Sequence, residues 1–91
     1  MIVEKKITIQ GNVQGVFFRA NTLREAKQLD LVGSVKNLPS GNVEIYAQGS
    51  EQKINQLINR LKHELYPLNI TQITLESILP LNTYLEFQIK Y

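Results

Sequence analysis

Ile54, Leu57, Ile58, Leu61 and Leu65 recur at i, i+3, i+4, i+7 and i+11, an apolar stripe that only a helix gathers on one side. A helix of this kind needs a surface to cover, and the rest of the chain offers strands. Val3, Lys5, Ile7 and Ile9 alternate with Glu4, Lys6, Thr8 and Gln10, a period-two pattern with one base, Lys5, on its apolar side. Val43, Ile45 and Ala47 alternate in the same way with Glu44, Tyr46 and Gln48. Pro39-Ser40-Gly41-Asn42 is a turn by composition, so residues 33–38 and 43–48 are predicted to form a hairpin. Two further strands are expected at about 70–79 and 83–91, split by Pro80-Leu81-Asn82.

The striped helix has an expected start and stop: Ser50 is a suitable N-cap and Pro67 prevents continuation. A second helix is expected earlier, opening on Thr22-Leu23-Arg24-Glu25, which has the spacing of a capping box. It should run to about Leu31, bury Leu23, Ala26 and Leu29, and end near Asp30 and Gly33. The order β-α-β-β-α-β-β predicts an α+β fold, a ferredoxin-like α/β sandwich. Its sheet would be mixed, mainly antiparallel, of about five strands, with both helices on one face. Such a fold hosts enzymes, RNA binders and carriers alike and does not decide function.

Composition narrows the chemistry. Ninety-one residues, 43% of them hydrophobic, suffice for one domain, 1–91, with a thin core. The chain has no cysteine, which excludes a disulfide scaffold, a thiolate metal site and a cysteine nucleophile. The single histidine, His63, sits where a cation complements a helix C-terminus, and no metal-ligand cluster is evident. Ser34, Ser40, Ser50 and Ser77 have no histidine partner to suggest a hydrolase triad. The carboxylates are scattered singly, and most are expected to be solvated. Residues 1–6 show no leader or membrane span, so a cytoplasmic location is expected.

One segment remains. Gly11-Asn12-Val13-Gln14-Gly15-Val16-Phe17-Phe18-Arg19 combines two glycines, no carboxylate and an arginine. A loop opening onto a helix can aim several backbone N–H groups at one anion, and arginine adds a planar charged fork suited to phosphate oxygens. The window from Lys5 to Arg24 contains no acid but includes Lys5, Lys6, Arg19 and Arg24, which suggests a locally positive field around the loop, or chance. The spacing matches neither a Walker loop nor a dinucleotide fingerprint. Without a base or nucleophile, the suitable chemistry is phosphoryl transfer, which needs positioning and charge stabilisation. An acyl phosphate suits it further, because a carboxylate leaving group with a pKa of about 4 to 5 needs no general acid.

The segment from Gly11 to Arg19 resembles the first signature of the acylphosphatase family, Gly-x-Val-Gln-Gly-Val-x-Phe-Arg. Gly33-Ser34-Val35-Lys36-Asn37-Leu38-Pro39-Ser40-Gly41-Asn42-Val43, followed by Gly49, resembles the second. The resemblance implies a cofactor-free and metal-free hydrolase of small-molecule acyl phosphates that releases inorganic phosphate. A monomer with no nucleic-acid or membrane partner is expected. Arg19 would bind the phosphate, the backbone N–H groups of Gln14, Gly15, Val16, Phe17 and Phe18 would cradle it, and Asn37 would hold the attacking water. One or both of Phe17 and Phe18 should pin the loop to the core. Three places depart from the family pattern. Ser34 replaces a usual aromatic, Asp30 a common glycine, and residues 65–69 lack the usual Gly-Pro. A binding module without catalysis is an alternative. So is an RNA-recognition domain, although the central strands supply only Tyr46 for stacking.

Overall fold

The computed structural model describes residues 1–11, 13, 14, 16–64, 70–81 and 83–91, with backbone only for Val16, Glu64, Ile70 and Thr71. The chain runs β1 (Val3–Gly11), α1 (Val16–Gln28), β2 (Val32–Asn37), β3 (Val43–Gly49), α2 (Glu51–Glu64), β4 (Ile70–Ile78) and β5 (Phe87–Lys90). The sheet order is β4-β1-β3-β2-β5. Every pairing is antiparallel except β2 with β5, which is parallel. This is the expected ferredoxin-like α+β sandwich.

Strand pleating sends alternate side chains to opposite faces. Ile7 and Ile9 of β1, Val43, Ile45 and Ala47 of β3, Val35 of β2 and Phe87 of β5 form the buried face. α2 contributes Ile54, Leu57, Ile58 and Leu61 to it, and α1 contributes Phe18 and Ala26, with Leu29 just beyond its end. α1 packs over β2 and β5, while α2 packs over β3 and β1. Ser50 caps α2 as expected, accepting a hydrogen bond from the Lys53 N–H at 3.2 Å. The positions expected to end that helix, Leu65 and Pro67, lie outside the described residues, as does Asn82.

α1 differs from expectation at its start. It begins at Val16, so Thr22 lies in mid-helix, and its hydroxyl donates to the Phe18 carbonyl at 2.9 Å. The capping-box spacing was outweighed by burial. Phe18, Thr22, Glu25, Ala26 and Leu29 form an i, i+4, i+7, i+8, i+11 stripe, all of it buried. The stripe mixes polar with apolar residues, which hides it from a hydrophobicity reading. The helix stops at Gln28, earlier than Leu31, and Asp30 turns the chain with φ 56°. Aspartate tolerates this left-handed conformation. At Gly33, φ is 143° and an added Cβ would stand 1.7 Å from the Tyr46 carbonyl oxygen, so no side chain fits.

Two carboxylates are buried, against the expectation that most are solvated. Glu4, on the sheet face away from the helices, accepts hydrogen bonds from Gln48 Nε2 at 3.1 Å and Tyr84 Oη at 3.0 Å. Glu25 lies between the helices, with Arg60 Nη1 at 3.5 Å. Ser34 is also buried, on the face opposite Val35 and Asn37. β5 is shorter than the expected 83–91, because only Phe87–Lys90 pairs with β2.

Candidate active site

The end of β1 breaks register with β4 between Gln10 and Gly11, and Gly11 takes φ 138°. Such an irregularity re-aims the chain, here off the sheet and toward α1. Val13 is buried and anchors the loop from below. Gln14 precedes α1, and Val16, Phe17 and Phe18 form its first turn. Helix geometry leaves the N–H groups of that turn without intrahelical acceptors, and no acidic side chain lies in the turn to compete for them. Asn12 and Gly15, the latter assigned to the cradle, lie outside the described residues. Of the two phenylalanines, Phe18 is buried and pins the turn, whereas Phe17 is 83% exposed and does not.

Arg19 stands in the first turn of α1 rather than in the loop. Its Nη1 donates to the Lys90 carbonyl at 3.4 Å, and its guanidinium lies 4.7 Å from the centroid of the Tyr91 ring. These contacts fix the fork against the end of β5. Lys90 is registered with Lys36 across the parallel pair, and Asn37 is the next residue of β2. Adjacent strands lie about 4.8 Å apart, so the topology brings the Arg19 guanidinium and Asn37 to the same end of the sheet. Asn37 shares the helix-covered face with Val35, and its partner in β3 is Val43.

Among the described residues, neither the buried Nε of Arg19 nor the buried Oδ1 of Asn37 has a hydrogen-bond partner. Unsatisfied buried groups of this kind cost about 1–3 kcal/mol each and call for an explanation. Their senses are opposite. The Arg19 N–H can donate to an anionic oxygen, and the Asn37 carbonyl oxygen can accept from an O–H.

The loop and the hairpin are also tied directly. Gln14 Nε2 donates to the Leu38 carbonyl at 2.6 Å and to the Asn42 carbonyl at 3.0 Å. Lys5 and Lys6, by contrast, do not contribute to the site. They pair with Glu51 and Glu44, both at 3.6 Å, and Lys6 is five residues, about 17 Å of strand, from Gly11. Lys90, Tyr91 and the Gln14 side chain were missed as parts of the site. They meet it from far along the chain, 24 residues away for Gln14 and Leu38 and 71 for Arg19 and Lys90, and nothing local in the sequence marks them. Among the described residues no group of three or more His, Cys, Asp or Glu could hold a metal. No helix there is long and apolar enough to cross a membrane.

The acylphosphatase family profile matches residues 5–89. The chain belongs to the acylphosphatase family. An acylphosphatase of Thermotoga petrophila is 37% identical over 86 residues, covering 94% of each chain. One of Archaeoglobus fulgidus is 44% identical over 61 residues, covering 67% of this chain and 68% of the relative. The crystal structure of the acylphosphatase from Bacillus subtilis superposes with a TM-score of 0.89 at 33% identity, covering all of both chains. With family relatives this similar over most of the chain, the protein is a hydrolase.

Proposed function

We propose that the protein hydrolyses acyl phosphates to a carboxylate and inorganic phosphate, with residues 1–91 acting as one domain. The phosphate would be held by Arg19 and by the backbone N–H groups of Gln14, Gly15, Val16, Phe17 and Phe18. Asn37 Oδ1 would accept a hydrogen bond from the attacking water and orient its lone pair toward phosphorus. The water oxygen forms the new P–O bond in line with the bond that breaks. The electron pair of that bond leaves on the acyl carboxylate, and the water's proton passes to a phosphate oxygen of the substrate. No protein base is required. The leaving carboxylate is stable without protonation, since the pKa of its acid is about 4 to 5. Catalysis then consists of positioning and charge stabilisation.

The observation that carries this reading is the pair of buried atoms of opposite sense, Arg19 Nε and Asn37 Oδ1, without partners among the described residues and at the same end of the β2–β5 pair. A phosphate oxygen and a water together satisfy both. The reading needs one chain only, and takes the enzyme as a cytoplasmic monomer. The test is hydrolysis of benzoyl phosphate by the purified protein, with and without a chelator. Turnover insensitive to the chelator is expected. A rate no faster than buffer, or one abolished by the chelator, overturns the proposal.

A further inference from the structure

The side chain of Gln14 joins two parts of the site that no other described side-chain hydrogen bond connects. On one side is the loop that leads into the first turn of α1. On the other is the turn between β2 and β3, which begins one residue after Asn37. That turn is closed by its own backbone. The Leu38 N–H donates to the Asn42 carbonyl at 2.8 Å, and the Gly41 N–H donates to the Leu38 carbonyl at 3.0 Å. The same two carbonyls receive Gln14 Nε2. A carbonyl oxygen has two lone pairs and a side-chain amide nitrogen two hydrogens, so all these bonds can be made together. The amide therefore spans the neck of the turn and holds it at a fixed distance from the loop.

We propose that Gln14 is a positioning residue, whose side chain fixes the phosphate loop relative to Asn37 and so aligns the bound phosphorus with the water. This rests on the reading above and adds a role that the backbone N–H of Gln14 does not supply. The place calls for a side chain that donates to two carbonyl oxygens at once. A glutamate of the same length would set a carboxylate against two carbonyl oxygens, and a methionine would fill similar space without donating. Misplacement of reacting groups by about 1 Å can cost on the order of 100-fold in rate. The staple is solvent-exposed, so partial retention of alignment is expected, and a loss of about 10-fold.

The experiment compares the parent, Gln14→Met, Asn37→Ala and the double variant, using benzoyl phosphate turnover and a titration with inorganic phosphate followed by NMR. Gln14→Met should lower kcat about 10-fold with KM changed less than about threefold. In the Asn37→Ala background it should cost less than about twofold, because the alignment it preserves no longer matters. Equal losses in the two backgrounds would show a general structural role and overturn the proposal. So would a kcat within twofold of the parent. The titration separates this proposal from the enzymatic reading. In the parent, phosphate should shift both the loop amides and the Asn37 side-chain amide. In Gln14→Met it should shift the loop alone. A parent without turnover overturns the enzymatic reading, while the titration still decides the coupling. An unchanged Asn37 response in Gln14→Met overturns the staple.

Discussion

The two helices cover the same sheet but are built by different rules. α2 is a packing element. Ile54, Leu57, Ile58 and Leu61 are buried, its first turn is capped by Ser50, and basic residues Lys62 and His63 lie in its last turn. α1 buries Thr22 and Glu25 among its few apolar residues, and its first turn presents Arg19 and free-standing N–H groups. One helix is optimised for covering the sheet, the other for where its N-terminus points. Stability and activity should therefore separate along the same division.

Arg19→Gln, at the start of α1, should give the largest effect in the molecule. Turnover should fall about 10³-fold, and inhibition by phosphate should weaken, because on the proposed reading a charged fork is lost where transition-state charge would develop. Thermal unfolding should change by much less, since Arg19 is only partly buried. Steady-state kinetics beside a melting curve would show whether the two properties part. On α2, Leu57→Ala removes a fully buried side chain and should cost about 3 kcal/mol of stability in denaturant titration. Its KM at a temperature where the protein stays folded should be that of the parent. A large KM change would mean that α2 shapes the site and would remove the contrast.

Smaller effects sharpen the same division. Ser50→Ala should cost about 1 kcal/mol through the lost cap, with kcat unaffected. Thr22→Ala, if Thr22 were a cap, would cost as much by shortening α1. As a mid-helix residue whose hydroxyl bonds back to Phe18, it should leave helix length intact, which the amide exchange pattern of residues 16–21 would show. Asp30→Gly should be the smallest change. A stabilisation of about 0.5 kcal/mol is expected from relief of the left-handed conformation, less the greater freedom glycine brings to the unfolded chain.

Legibility in the sequence follows the same line. α2 was readable because its stripe is purely apolar and its cap immediately precedes it. The strand pattern gave the sheet, and the β2–β3 hairpin was placed to within a residue by Pro39-Ser40-Gly41-Asn42. The start of α1 was misread because Thr22 and Glu25 satisfy a local rule, while their burial is decided by α2, β2 and β5. Arg19 stood out through its place beside a glycine loop free of acids, and Asn37 through the resemblance of its segment to a family signature. What holds them in place did not, because Lys90 is 71 residues from Arg19 and Gln14 reaches 24 and 28 residues ahead. Buried Glu4 belongs with these. Its partners Gln48 and Tyr84 are 44 and 80 residues away, and strand alternation alone does not reveal them.

The anchoring of Arg19 to Lys90 has a kinetic consequence. β5 is four residues long and lies at an edge of the sheet, paired to β2 alone. The loop that must close to bring Lys90 to Arg19 is among the longest available to the chain, and contacts of that separation are slow to form. Refolding should therefore recover helical signal before it recovers an ordered arginine. In the native protein, brief fraying of β5 would release the guanidinium while the core strands remain paired. The enzyme would then pass through short inactive intervals whose frequency is set by an edge strand, and amide exchange at residues 87–90 would measure that frequency directly.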